Sequence, residues 1–583
     1  ANGRLVLINP NGIVFSQGSS VDTAGLVATT LGIGNSDFMA GRMTFSLAGR
    51  DGASVVNEGD ITVRDGGLAA LVAPEVRNSG TIRARMGRVV LAGAESMTLD
   101  PRGDGLISFE VARTGPERTT RAENTGRIEA QGGSVTISAA SARGIVAGVV
   151  NVEGQVIATS VGQQNGVVSF GSGENGTTTV AGNVDVRGSG TGQTGGSVTV
   201  TGDRVRVAST ARIDASGAAG GGSVRIGGDR QGQGTTQRAR RTDVEQGAVI
   251  RADATDHGRG GTVIVWSDEY THFMGSISAT GGAAGGDGGF AEVSGKLWLG
   301  FSGTVDLRAP MGATGTLLLD PTDITVSVSA NRDISATSPF QFADDPPPGG
   351  TNGTSNLSVA TLQAALAGAD VTISTAAGTG APDGGRITIA DAVAWSSGRT
   401  LTLNATTGIV VNAAVTGTAD GTAGGALNGA LTMSVSGIGG ITQGAAGIIT
   451  VQTLSASTTN GAVALATVSN RIGSVSGTAA GGTNGFAFAN SAGFQVGNIT
   501  AAGAAQLTAD TGNITQSGGI TATALTATAT AGNIDLSPVA NSVGAITLTA
   551  GPAGTAQFQS SGALVVNGVT AAGGVVLTAG AGD

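Results

Sequence analysis

Asn57-Glu58-Gly59-Asp60-Ile61 returns soon afterwards as Asn78-Ser79-Gly80-Thr81-Ile82, and loosely again as Asn124-Thr125-Gly126-Arg127-Ile128. Each copy is a polar turn that runs into a short apolar strand. A second phrase accompanies it: Gly132-Gly133-Ser134-Val135, Gly195-Gly196-Ser197-Val198, Gly221-Gly222-Ser223-Val224 and Gly260-Gly261-Thr262-Val263. Further on the interval widens, and Gly247-Ala248-Val249, Gly275-Ser276-Ile277 and Gly303-Thr304-Val305 follow one another at equal spacing. Within a strand such as Val135-Thr136-Ile137 the apolar residues alternate and so share one face. Strands this short cannot bury that face alone, whereas stacking one repeat on the next at about 4.8 Å does. Repeats of roughly 20–30 residues with short strands and no helical period predict an all-β fold, a right-handed parallel β-helix, over about residues 55–308. An array of Gly-rich β-sandwiches would need antiparallel pairing and longer alternation.

Composition agrees. Glycine is 102 of 583 residues, against a usual ~7%. Aromatics are 3% and charged residues 12%, but hydrophobic residues are 40%, too many for a disordered chain. No strict Gly-X-Y period is present, which excludes collagen. The net charge of −10 argues against nucleic acid, whose phosphates need a basic face. The absence of cysteine rules out disulfides and thiolate metal sites. No signal peptide or stretch of ~20 apolar residues is visible, so no transmembrane helix is expected, and the sequence reads as a fragment that starts inside a domain.

Around residues 331–369 the repeats stop. Asp344-Asp345-Pro346-Pro347-Pro348-Gly349-Gly350 reads as a linker or loop. Leu357–Ala369 reads as a short helix, with Ser358 as N-cap and Gly368 as its stop. Residues 370–583 form a low-charge Gly/Ala/Thr-rich β-repeat region with a period near 71. Asn470 and Gly473 match Asn541 and Gly544, and Ile499-Thr500-Ala501-Ala502-Gly503 matches Val569-Thr570-Ala571-Ala572-Gly573. Its surface must be Thr, Ser, Asn and Gln.

Chemistry-bearing residues are sparse. His257 and His272 are the only histidines, and neither sits in a nucleophile-elbow context, so both read as exposed turn residues. Asp253, Asp256, Asp268 and Glu269 form the densest acidic group; glycan cleavage by paired carboxylates is the sharp reading and a solvated edge the bland one. Gly281–Gly289 carries one aspartate, Asp287, where calcium-binding nonapeptides need one per turn. Arg238-Ala239-Arg240-Arg241 reads as a solvated polar loop. Arg102-Gly103-Asp104, after Asp100-Pro101, is a candidate adhesion tripeptide in an exposed turn, although a chain this rich in Arg, Gly and Asp produces such a triplet readily by chance. No cofactor, no metal and no enzymatic activity are expected. Asn9-Pro10-Asn11-Gly12 is a tight turn between Leu5–Ile8 and Ile13–Phe15: proline presets φ and Asn-Gly supplies a positive φ.

Gly3-Arg4-Leu5-Val6-Leu7-Ile8-Asn9-Pro10-Asn11-Gly12-Ile13-Val14-Phe15 resembles the secretion domain of filamentous-haemagglutinin-type exoproteins of the two-partner secretion pathway. So do Val21–Thr30 and Asp37–Gly41. Thr262–Asp268 and Gly315–Ile324 look like phrases from large members of that family. The resemblance implies a partial secretion domain over residues 1–115, followed by β-helix repeats over 116–330. It implies export through an outer-membrane barrel transporter with periplasmic recognition domains, and a place outside the cell or on its surface. It implies a filamentous, adhesin-like role toward host or bacterial glycans and proteins. In the family the Asn-Pro-Asn-Gly segment matters for secretion, which carries over to Asn9, Pro10, Asn11 and Gly12 alone. Family members have further strands ahead of this point that cap the helix, and a solenoid without them exposes a sheet edge. A stalk for a contact-dependent toxin, a polysaccharide-active β-helix protein and an autotransporter are the alternatives; the last would need a C-terminal membrane barrel of alternating strands.

Overall fold

The computed structural model describes residues 3–99, 107–110, 120–139, 148–329, 355–375 and 384–580. The chain divides into two units, Ala1–Lys296 with Phe301–Leu317, and Leu297–Gly300 with Leu318–Asp583.

The first unit is a right-handed parallel β-helix. Each coil contributes one strand to each of three sheets in turn. Arg4–Ile8, Ile13–Phe15 and Ser20–Thr23 begin the first, second and third sheets; Leu68–Ala73, Glu75–Asn78 and Thr81–Arg83 repeat the order two coils on. Pairing between coils is parallel and in register, as a right-handed crossover between parallel strands requires. One column shows why the period-two pattern works. Ile61, Ile82, Ile128, Val156, Val184 and Ile213 occupy one register position in successive coils and are buried. The column continues through Ile250 and Ile277. Here the sequence alignment of Val249 with Ile277 is corrected. Val249 pairs with Ser276, because the turn before it, 245–248, is two residues longer than its counterpart 274–275, so Gly247 and Gly275 are not equivalent.

The glycine excess has a steric cause. A Cβ on Gly133 would run into the carbonyl oxygen of Gly87, one on Gly222 into that of Gly196, and one on Gly261 into that of Gly222. The same holds at the other turn for Gly80 over Gly59 and Gly126 over Gly80. These carbonyls also accept the next coil's first strand N–H, as in Ser134 N–H to Gly87 O at 2.9 Å. Beside them runs a buried amide ladder, in which Asn57 Nδ2 donates to Asn78 Oδ1 and Asn78 Nδ2 to Asn124 Oδ1, both at 2.7 Å. The recurring Asn-x-Gly phrase is thus a ladder rung followed by a stacking glycine.

Connections from the second sheet to the third are tight turns throughout the described coils, from 16–19 in the first to 302–303 in the last. The long departures, 30–53, 94–120 and 227–240, all leave between the first sheet and the second. The first two contribute strands to a small antiparallel sheet: Gly32–Ile33, Thr44–Leu47, Ser96–Leu99 and Ile107–Glu110. It covers the outward face of the first sheet, burying Val27, Ala70, Val72, Val90 and Ala92 against Leu31, Phe45 and Met97. In the following coils the same outward row turns polar (Thr136, Ser169, Thr199) and then apolar again at Ile264. There the third departure folds over it. Gly232 packs on Trp266, Arg230 lies 4.5 Å from the Phe290 ring centroid, and Gln231 N–H donates to Glu292 Oε1 at 2.9 Å.

The second unit is also built of parallel, in-register strands, from Asp370–Ser374 through Thr400–Ala405 and Ala430–Val435 onward. The helix Val359–Gly368 starts at Ser358, whose Oγ accepts the Thr361 N–H at 3.2 Å. Leu362 and Leu366 are its buried anchors.

Candidate functional site

Asn9–Gly12 closes the first corner of the first coil. The Asn9 carbonyl accepts the Gly12 N–H at 3.1 Å, and Asn9 Oδ1 accepts the Asn11 N–H at 3.1 Å. Asparagine at this position therefore braces the turn with its own side chain. Gly12 sits at φ +108°, a left-handed value that a Cβ disfavours.

The next coil makes its long excursion at this same corner, and the turn is bonded to both legs of it. On the outgoing leg, Asn9 N–H donates to Thr29 O at 3.1 Å. On the returning leg, Arg50 N–H donates to Pro10 O at 2.7 Å. A Cβ on Gly49 would press on both Thr30 O and Pro10 O, so glycine lets the returning leg close in. Asn9, Pro10 and Asn11 stay exposed. Sequence reading found the turn but missed Thr29, Gly49 and Arg50 as its partners. Their only signal was the Gly49-Arg50-Asp51-Gly52 turn chemistry, far from Asn9 along the chain.

The other singled-out residues do not converge. Arg102, Gly103 and Asp104 lie outside the described residues. Asp253 Oδ1 accepts from Ser278 Oγ at 2.5 Å and Thr280 N–H at 2.8 Å, Asp256 lies beside His257, and Asp268 pairs with Arg238 at 3.2 Å. Each acid is thus used locally. Asp287 Oδ1 accepts the Ala313 N–H at 2.8 Å, a turn contact. Two expectations of exposure fail. His272 is buried on the strand Tyr270–Phe273, in register with Asp243, and Arg241 is buried with its Nε 2.9 Å from Asp243 Oδ2. They lie on adjacent strands of the second sheet, Arg241–Val244 and Tyr270–Phe273, and Arg241 finds its counter-charge two residues on in its own strand. Arg238 and Arg240 are partly exposed, but Arg240 is held by both oxygens of Asp203 at 2.8 and 3.0 Å.

Two aspartates at the end of third-sheet strands clamp the arginine two residues on. Asp185 takes the Nε and Nη2 of Arg187 at 2.9 and 2.7 Å, and Asp306 those of Arg308 at 2.8 and 2.6 Å. The hydrogen bond first, then the carboxylate charge, raises both guanidinium pKa values above the ordinary arginine range. These pairs shape corners of the coils. Among the described residues no group of three or more His, Cys, Asp or Glu is placed to hold a metal, and no helix is long and apolar enough to cross a membrane.

The described coils of the first unit form a parallel solenoid, and the singled-out residues do not converge on one site in it. Residues 1–186 match the model of the TPS secretion domain; they belong to that family, and the chain is a passenger of two-partner secretion, destined for the cell surface or beyond it. That domain implies a partner transporter in the outer membrane. The chain is 28% identical over 177 residues to the heme/hemopexin-binding protein of Haemophilus influenzae, a match covering 29% of this chain and 19% of that protein's length. It is 31% identical to the crystal structure of the HMW1 secretion domain from Haemophilus influenzae, with 53% of this chain and 78% of that one covered and a TM-score of 0.45.

Proposed function

We propose that the corner Asn9–Gly12 is where the outer-membrane transporter, through periplasmic recognition domains, engages this passenger during export. We further propose that the exported solenoid acts as a filamentous adhesin toward host or bacterial surface glycans and proteins. The observation that supports the first part is a division of labour within the corner. Its backbone groups Asn9 N–H, Asn9 O, Pro10 O, Asn11 N–H and Gly12 N–H are used inside the protein, the last but one by Asn9 Oδ1, while Asn9, Pro10 and Asn11 stay exposed. Adhesion is supported by the architecture, a long scaffold of stacked coils with loops along one corner.

The test is release into the medium, with and without the partner barrel, of the parent protein beside Asn9→Ala and Asn11→Ala. Partner-dependent release that drops in both variants is the expected result. Release indifferent to both substitutions sinks the assignment of the corner, and release without any barrel partner sinks two-partner export of this chain. The adhesive part fails separately if the exported protein retains no binding to host cells, bacterial cells or a glycan panel.

A further inference from the structure

In the second unit, the outward residues of successive strands line up in a row that runs from Ser374 through Asn404, Ser434, Ser457 and Thr478 to Ser542. The two rungs between Thr478 and Ser542 are also threonines, Thr500 and Thr521. Two residues earlier in each strand a second row carries Thr402, Thr432, Ser455 and Ser476. The rows form a grid with spacings of about 4.8 Å across strands and about 6.7 Å along them. Every member is half-buried or exposed. None is charged, and residues 401–583 carry only Asp420, Arg471, Asp510, Asp535 and Asp583 as charges. The aromatic side chains described in this unit, Trp298, Trp395, Phe486, Phe488, Phe494 and Phe558, are all buried.

From this we infer that the hydroxyl grid of the second unit is a homotypic docking face, whose occupant is the same face of a second copy of this chain. Parallel, in-register strands bearing short, uncharged polar side chains resemble one half of a steric zipper, already assembled by the solenoid. Mating two such faces about a two-fold axis makes the contact self-complementary. The lack of charge removes the like-charge repulsion that ordinarily keeps two copies of a sheet surface apart, in a chain whose net charge of −10 would otherwise provide it. A polysaccharide would call for exposed aromatic rings to stack its sugars, and an anionic partner for cations; the grid offers neither. The grid covers roughly 400–500 Å² per partner, about half of a standard stable interface. A single pair is therefore weak, and many chains anchored side by side multiply it.

The absence of cysteine makes the test clean. Ser455→Cys and, in the first unit, Thr199→Cys each give the full-length chain a single thiol on an outward strand position. A short bismaleimide is expected to trap covalent dimers of the Ser455→Cys protein at concentrations where Thr199→Cys stays monomeric. Equal trapping of both, or of neither, overturns the proposal. Sedimentation equilibrium provides the second measurement: Thr432→Lys with Ser455→Lys should weaken dimerisation by about tenfold or more through like-charge repulsion. Unchanged association in a variant with the parent's circular dichroism overturns the proposal as well.

Discussion

Asn470 and Asn541 hold equivalent places in the long repeat and do the same job. Both are fully buried, and each Oδ1 accepts a backbone N–H from earlier in the chain, Ile449 at 2.9 Å and Ile520 at 2.8 Å. Each also accepts a glutamine amide, Gln443 at 2.7 Å and Gln516 at 2.5 Å, and each Nδ2 donates back to main-chain carbonyls. Both follow an irregularity in strand register, after Leu465 and Leu536. The amide replaces the ladder bonds that the irregularity breaks.

Asn541→Ala therefore leaves the Ile520 N–H and the Leu536 and Gln559 carbonyls without their partner inside the protein. The expected loss is about 2–4 kcal/mol, seen as a lower urea midpoint. Asn541→Asp should be worse, since a carboxylate cannot donate to those carbonyls. A midpoint within error of the parent would show that water fills the role.

Gly133→Ala places a methyl group against Gly87 O and should cost about 2–4 kcal/mol, because the coil above has to lift. Gly424→Ala, where nothing lies within 4 Å of the added atom, should stay within about 0.5 kcal/mol. Equal melting of the two variants would refute the stacked-glycine explanation of the composition.

The bracing of the first corner separates folding from recognition. Asn9→Asp keeps an acceptor for the Asn11 N–H and should melt like the parent, whereas Asn9→Ala loses it and should cost about 1 kcal/mol. Asn11→Ala removes an exposed side chain and should leave stability within about 0.5 kcal/mol. Thermal melts of the three variants, set beside their release from cells, show whether export follows stability or side-chain identity.

Asp420 is an exposed turn residue whose carboxylate pKa is displaced. The Thr422 N–H first, then the hydroxyls of Thr422 and Thr418, hold it below the ordinary carboxylate range. A carboxylate with a depressed folded pKa stabilises its turn at neutral pH and loses that contribution as pH falls through the folded value. The ratio of observed to intrinsic amide exchange rate at residues 419–426 is expected to increase on strong acidification in the parent. In Asp420→Asn that acid-dependent increase should be missing.

Much of this fold was legible because a solenoid repeats its own evidence. The rung asparagine, the stacking glycine and the following isoleucine recur in the sequence at the spacing of the coils, and Ser358 could be picked as a helix start from its place before Val359, Leu362 and Leu366. What escaped was whatever depends on the neighbouring coil. The offset that pairs Val249 with Ser276 follows from the longer turn 245–248, whose Gly247 a motif alignment matches to Gly275. Arg241 and His272 looked like loop residues because their burial follows from the parallel pairing of Arg241–Val244 with Tyr270–Phe273, which sets His272 opposite Asp243, the partner of Arg241. The candidate corner followed the same rule: its four residues were readable, and the legs of the excursion that hold it were not.

The placement of the excursions has a practical meaning. Second-to-third-sheet connections are short, whereas segments as long as 30–53 already leave and rejoin between the first and second sheets. Foreign peptides grafted at that corner would be carried without disturbing the rungs. Grafts in successive coils would lie about 4.8 Å apart along the axis. The molecule is in effect a ruler with one writable edge, on which epitopes or enzymes could be set at chosen intervals and presented outside a living cell.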